Sequence, residues 1–350
     1  MVIFMPELEI ESFKEECPSL ESYWRSVILF GKNAASYKFA LAKSLLEITP
    51  TGKTTISLDE LAVPFSHHLC EHIAHAPKQT TSNSSRFLDA CKNFNSGDIS
   101  HTALIETAVK LGFNNVIDAF HVVNDGVLPV KFYEKDYSPR KKKIILTDDI
   151  FKLQDIAFFD NLTQEAEARW NLVETAWELG ISRNLLSVGY DGEKEILFTN
   201  DKYRRKNITS ARAALNGYQK GKCFYCFDDI SVCSDDDDFC DVDHFFPHTL
   251  QPLIPNVNLN GIWNLVLACP RCNRGADGKF AKVPAIKYLE RLEKRNNFLI
   301  SSHHPLRETL IQQTGIYPSE RHRFLADMDK FAISHLIFRW ETKAVSSEVF

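Results

Sequence analysis

Between residues 223 and 273 the chain sets four cysteines, an aspartate, a histidine and two asparagines in an order that suggests two kinds of metal chemistry. The cysteines form two pairs, Cys223-Phe-Tyr-Cys226 and Cys269-Pro-Arg-Cys272. Between the pairs stand Asp243-His244-Phe-Phe-Pro247 and Asn264, and Asn273 directly follows the last cysteine. Thiolates are soft ligands, and two Cys-x-x-Cys pairs suit a closed tetrahedral Zn2+ site that staples a segment with little core of its own. Carboxylate and amide oxygens suit a hard cation such as Mg2+ or Mn2+. An imidazole, which ordinarily titrates near about pH 6.5, can take a proton from water at neutral pH. Hydrolysis of a phosphodiester calls for that hard cation and that base together.

The same order of elements, over roughly residues 210–284 and so about a fifth of the chain, resembles the HNH endonuclease family. The resemblance implies a ββα-metal finger with His244 on its first strand, Asn264 near its second and Asn273 at the start of its helix. It implies His244 as general base, Asp243 and Asn273 as ligands of a catalytic Mg2+ or Mn2+, and Asn264 as a brace for the loop carrying the histidine. Where the family often has a second histidine this chain has Asn273, making a His-Asn-Asn variant. A lysine usually follows the final motif closely. Here the run is Asn273-Arg-Gly-Ala-Asp-Gly-Lys279, so Arg274, Lys279 and Lys282 are all candidate phosphate contacts, with the choice among them open. Arg212 and Lys222, in the basic stretch before the first cysteine pair, are further candidates. Adjacent residues on a regular strand point to opposite faces, so Asp243 and His244 share one site only if the strand is twisted or bulged there. Cys233 and Cys240 lack the pair spacing, which leaves the outer pairs as the expected zinc ligands.

The elements that must position these groups read as mainly α. Apolar residues recur at helical spacing over residues 37–48, 65–76, 84–94 and 100–111. Strand-like runs cover residues 127–133 and 143–146. A long helix carries Ala166, Trp170, Val173 and Trp177 on one face, with Asn161 or Thr163 to cap it and Gly180 to end it. A hairpin is expected around Asp191-Gly192, a helix from Ser210 to Gln219, and helices over 284–295 and 319–341, with frayed final residues. The expected fold is a mainly α multi-domain protein with a small ββα finger held by a four-cysteine zinc site. Its expected parts are a helical N-terminal domain (1–145), a helical and hairpin connector (146–209), the nuclease-like domain (210–295) and a C-terminal helical extension (296–350).

Two other clusters read as ordinary surface. Thr51-Gly-Lys-Thr54 lacks the earlier glycine of a phosphate-binding loop, position 47 being Glu, and reads as a turn. His68, Glu71, His72 and His75 share helical spacing but read as a polar helix face.

The chain of 350 residues carries a net charge of −5, so it is not globally basic. Residues 201–295 hold 15 Lys+Arg against 12 Asp+Glu, a locally basic segment compatible with phosphate contact. No apolar run is long enough to span a membrane, and the N-terminus does not read as a signal peptide. Nine cysteines, four of them in metal spacing, fit a reducing cytoplasm better than a disulfide framework. The expected function is metal-dependent endonucleolytic cleavage of DNA, in the setting of restriction or antiviral phage defence. The N-terminal domain would then meet a regulatory protein or ATPase. The alternatives are an RNA-cleaving effector and a non-catalytic zinc-ribbon adaptor that binds nucleic acid.

Overall fold

A computed structural model describes residues 18–30, 35–82, 84–123, 126–138, 141–179, 187–201, 204–302, 304–343 and 349–350. The fold is mainly helical with small sheets. The chain divides between Pro18–Gly180 and Ile181–Phe350. No described helix is long and apolar enough to cross a membrane.

The first unit holds helices α1 (Leu20–Phe30), α2 (Tyr37–Ile48), α3 (Leu58–His75), α4 (Arg86–Asn95) and α5 (His101–Thr107), a three-stranded antiparallel sheet whose first strand lies between α2 and α3, and a long helix, α6 (Asp160–Glu178). The sheet order is β1 (Thr55–Ser57), β3 (Lys142–Leu146), β2 (Tyr133–Tyr137). Local chemistry starts the helices. Ser57 and Glu60 form a reciprocal capping box at α3, and Ser85 and Ser100 cap α4 and α5. Helical spacing then brings Trp24, Phe39, Phe65, Phe87 and Trp170 into one core.

Four expectations change here. The expected boundary at 145/146 falls inside this unit, because Leu162, Ala166, Trp170, Val173 and Trp177 of α6 belong to the same core. Neither Asn161 nor Thr163 caps α6. The helix starts earlier, after a left-handed Phe158 whose carbonyl accepts the Asn161 N–H at 2.9 Å. The run 127–133 is not one strand, since Pro129 separates a two-residue strand, Gly126–Val127, from β2. His72 is no surface residue either. It is buried, with Nδ1 2.8 Å from Glu174 Oε2, Nε2 3.2 Å from Glu167 Oε2, and its ring flat against Trp170 at 3.5 Å. Thr51–Thr54 is a turn, with Gly52 at φ +70°. The expected stop at Gly180 lies outside the described residues.

The second unit opens with an antiparallel meander, β4 (Gly189–Asp191), β5 (Ile196–Asp201) and β6 (Arg204–Ser210), followed by α7 (Ala211–Gln219). The expected hairpin at Asp191-Gly192 is the β4–β5 turn. An antiparallel pair follows, β7 (Asp241–His244) with β8 (Leu265–Ala268), and then a short helix α8 (Pro270–Arg274). Two-residue strands β9 (Val283–Pro284) and β10 (Arg339–Trp340) pair in parallel around α9 (Ile286–Ser301), α10 (Arg307–Thr314) and α11 (Pro318–Leu336).

A two-stranded pair is marginal alone, and here its neighbours complete it. Gln219 of α7 donates to Leu267 O and accepts from Leu267 N, both at 2.8 Å, which satisfies the outer edge of β8. Arg295 of α9 donates to the carbonyls of Leu265, Ile262 and Trp263 at 2.9–3.2 Å. Burial pulls that guanidinium down to about 10. Arg291 donates to Phe224 and Tyr225 carbonyls inside the first cysteine pair. Phe350 packs on Tyr218 and Phe227, so the expected fraying does not extend to that residue, while 344–348 lie outside the described residues.

Candidate metal centre and adjoining histidine

The first cysteine pair lies in a tight turn. Phe227 takes φ +63°, its N–H donates to Cys223 O at 3.0 Å, and Cys223 N–H donates to Asp228 O at 2.8 Å. The second pair begins at the residue before Pro270, where α8 starts, and Asn273 N–H donates to Cys269 O at 3.1 Å. These two turns bring the four buried Sγ atoms within 4.8 Å of one another. Cys226 and Cys269 Sγ are 3.7 Å apart. A tetrahedron of sulfurs around zinc at about 2.3 Å has edges of about 3.8 Å, so the donors fit one zinc-like ion and are too far apart for a disulfide. Donation from the neighbouring thiols, Cys223 first, pulls Cys226 down to about 6 and Cys269 down as well, while burial pushes Cys223 up and Cys272 is raised too. Cys233 and Cys240 stand outside this group.

His244 ends β7. Its Nε2 lies 2.8 Å from Asn260 Oδ1; with the amide oxygen as acceptor, Nε2 carries the hydrogen and Nδ1 keeps its lone pair. Burial pulls the ring below its ordinary value despite the Asn260 bond and the nearby Asp243, so the neutral base is favoured. The exposed His248 sits 5.4 Å away, ring to ring. Asn264 is fully buried. Its Oδ1 accepts from Phe246 N at 2.8 Å, and its Nδ2 donates to Phe246 O and Leu259 O, both at 2.9 Å. Three such bonds lock the turn after His244 and use both hydrogens of the amide.

Asp243 is not placed as the sequence suggested. The β7–β8 register is regular, His244 opposite Leu265 and Asp243 opposite Val266, so the two side chains leave the strand on opposite faces. Asp243 is buried, and both of its oxygens are engaged. Oδ2 accepts from Tyr225 Oη at 2.6 Å, and Oδ1 lies 3.1 Å from Lys279 Nζ. Burial raises its carboxyl above the usual range although Lys279 and Tyr225 oppose the rise. Asn273 faces Asp241 instead, with Nδ2 3.1 Å from its Oδ2. As arranged, Asp243 and Asn273 do not fit a hard cation, since an ammonium and a phenol already occupy the carboxylate.

The phosphate candidates separate by burial. Lys279 is buried and donates to His244 O at 2.9 Å and Phe280 O at 3.2 Å, which withdraws it from any phosphate. Arg212 is turned inward, onto Cys240 O at 2.6 Å, Glu195 and the face of Phe239. Lys222 pairs with Asp229 at 2.6 Å. Arg274 is exposed beside Asp241 at 2.9 Å, and Lys282 is exposed. Lys202 and Tyr203 of the preceding basic stretch lie outside the described residues. Three working residues were missed. Tyr225 was inside the first cysteine pair, Asp241 two before Asp243, and Asn260 four before Asn264; strand parity points to Asp241, and no spacing rule singles out the other two.

No family model, curated protein or solved structure matches this chain.

Proposed function

We propose that the second unit is a zinc-stapled phosphodiester hydrolase of the HNH kind acting on nucleic acid, DNA first, with His244 as general base. The observation that carries this reading is the ββα unit β7–β8–α8. Four thiols tie α8 to the turn at residues 223–226, Asn264 locks the turn after His244, and His244 stands beside that turn with Nε2 held and Nδ1 available. Zinc supplies fold rather than chemistry, and Cys223, Cys226, Cys269 and Cys272 would hold it. In the proposed step a water oxygen bonds to phosphorus while its proton passes to His244 Nδ1. The P–O bond to the leaving 3′ oxygen breaks, and that oxygen takes a proton from solvent. Arg274 and Lys282 are exposed cations able to contact phosphate. No step is assigned to a hard cation, because Asp243 is engaged elsewhere. In a cell the unit would serve restriction or phage defence, with the first unit meeting a regulatory protein.

The test is nicking of supercoiled plasmid, beside RNA digestion, in Mg2+, Mn2+ or EDTA, with His244→Ala in parallel. Cutting that His244→Ala abolishes while zinc content holds supports the reading. Cutting that survives the substitution overturns it. A second reading rests on the Lys279–Asp243 pair: a site whose carboxylate is already neutralised suits a zinc-ribbon adaptor, which would bind DNA and cut nothing under any metal.

A further inference from the structure

Phe280 follows the buried Lys279 and is 54 % exposed. Its backbone nevertheless sits at φ +46°, a region glycine enters freely and phenylalanine does not. Two hydrogen bonds hold it there. Its N–H donates to Asn273 O at 2.9 Å, and its carbonyl accepts from Lys279 Nζ at 3.2 Å. The same ammonium donates to His244 O, so one buried cation fixes the main chain of an exposed phenyl to that of the candidate base. A lone exposed apolar residue is ordinary. An exposed residue held in strain by two main-chain hydrogen bonds next to a candidate reactive residue is of the kind that accumulates at functional sites.

The surroundings narrow the ligand. Arg274 and Lys282 are exposed on either side of Phe280 in the chain. Val283 N–H donates at 3.1 Å to the carbonyl of Phe338, whose ring is 68 % exposed, so a second phenylalanine joins the segment next to Lys282. Aromatic faces among cations match a nucleic-acid strand, whose bases stack while its phosphates pair.

We propose that Phe280 is a nucleobase contact, stacking on a base of the substrate strand, and that Lys279 sets its position relative to His244. This rests on the nuclease reading and deepens it. A base free to stack on Phe280 is one that is unpaired or easily unstacked, so the substrate class is single-stranded or locally opened nucleic acid.

The experiment uses the full chain carrying His244→Ala, so that nothing is cut, with oligonucleotides containing 2-aminopurine as single strand, mismatched duplex and fully paired duplex. Phe280→Gly is the main variant because the left-handed backbone accepts glycine, so melting temperature and zinc content should not fall. It should weaken single-strand and mismatch binding about tenfold and remove the stacking quench of 2-aminopurine. Its salt dependence should not change, since no phosphate contact is lost. Phe280→Tyr should restore both signals. Undiminished binding by Phe280→Gly overturns the inference and leaves the nuclease reading standing. An equal loss on fully paired duplex overturns it too, by placing the ring in a groove. If the parent chain binds none of the three probes, the nuclease reading fails first and this inference with it.

Discussion

Each unit buries a basic side chain against carboxylate, and the two clusters differ in what that side chain holds. In the first, His72 of α3 lies between Glu167 and Glu174 of α6 and flat on Trp170, with Gln79 donating to the same Glu174 oxygen at 2.7 Å. Its partners are side chains, and it fastens one helix to another. In the second, Lys279 meets one carboxylate, Asp243, and otherwise donates to the main-chain oxygens of His244 and Phe280. Its work is to place backbone beside the turns that carry the four cysteines. Buried charge therefore does not by itself mark a functional site. Partners drawn from the main chain of a candidate reactive residue are the more telling sign.

The largest effect should come from breaking the four-cysteine group beside the second cluster. Cys226→Ser deletes one of four ligands, and structural zinc sites contribute on the order of 10 kcal/mol to folding. Zinc per chain should fall toward zero, and amide protection across β7 and β8 should be lost. The His72 ring resonance should keep its titration in the same variant. Loss of that titration would mean the two clusters fold as one, and the comparison would have to be redrawn.

Lys279→Met comes next. It leaves the Asp243 carboxylate buried with Tyr225 as its remaining side-chain partner, a change that costs about 3–5 kcal/mol where one member of a buried pair is deleted. Adding Asp243→Asn should recover much of that loss in denaturant unfolding. A cost under about 1 kcal/mol for the single variant would show that the pair does not hold the site. Asn264→Ala should cost less, about 1–3 kcal/mol, by stranding the main-chain groups of Phe246 and Leu259. Its effect on any cleavage activity should exceed its effect on stability, because the turn it releases carries His244.

How legible these regions were follows from where their partners lie. The cysteine spacing is written in two short runs, and turns with fixed hydrogen bonds bring those runs together. The bracing role of Asn264 came from the resemblance alone, and its bonds to Phe246 and Leu259 are what the fold adds. The Trp170 and Trp177 stripe was readable as core from its period. Asp243 was misread because its fate depends on the path of residues 275–280, whose tight turn returns Lys279 to β7; Gly278 N–H donates to Gly275 O and Lys279 N–H to Cys272 O. His72 was misread because helical spacing assigns a face but does not say what covers it. Its cover comes from α6, about a hundred residues on.

The smallest effect is the pH dependence that the His72 cluster should show as the pH rises above about 6.5. Burial alone would pull His72 down, but hydrogen bonds and charge from Glu167 and Glu174 more than reverse it, and its value is raised. Glu167, which burial alone would raise, is held at about 2 by His72 and by Lys43 of α2. His68 of the same helix lies near as well; burial first, then Lys43 and His67, lower it to about 3, so it stays neutral near pH 7. The sign follows from the unfolded imidazole, which titrates near about pH 6.5. Below that the folded form gains the full His72 stabilisation. As pH rises through the higher folded value the proton leaves both states and the stabilisation disappears. Each unit of separation is worth about 1.4 kcal/mol. Unfolding free energy of the first unit should therefore fall as pH climbs above about 6.5, and His72→Gln should flatten the profile. A profile equally steep in His72→Gln would remove the imidazolium from the account and leave Trp170 stacking and the Gln79 bonds as what joins α3 to α6.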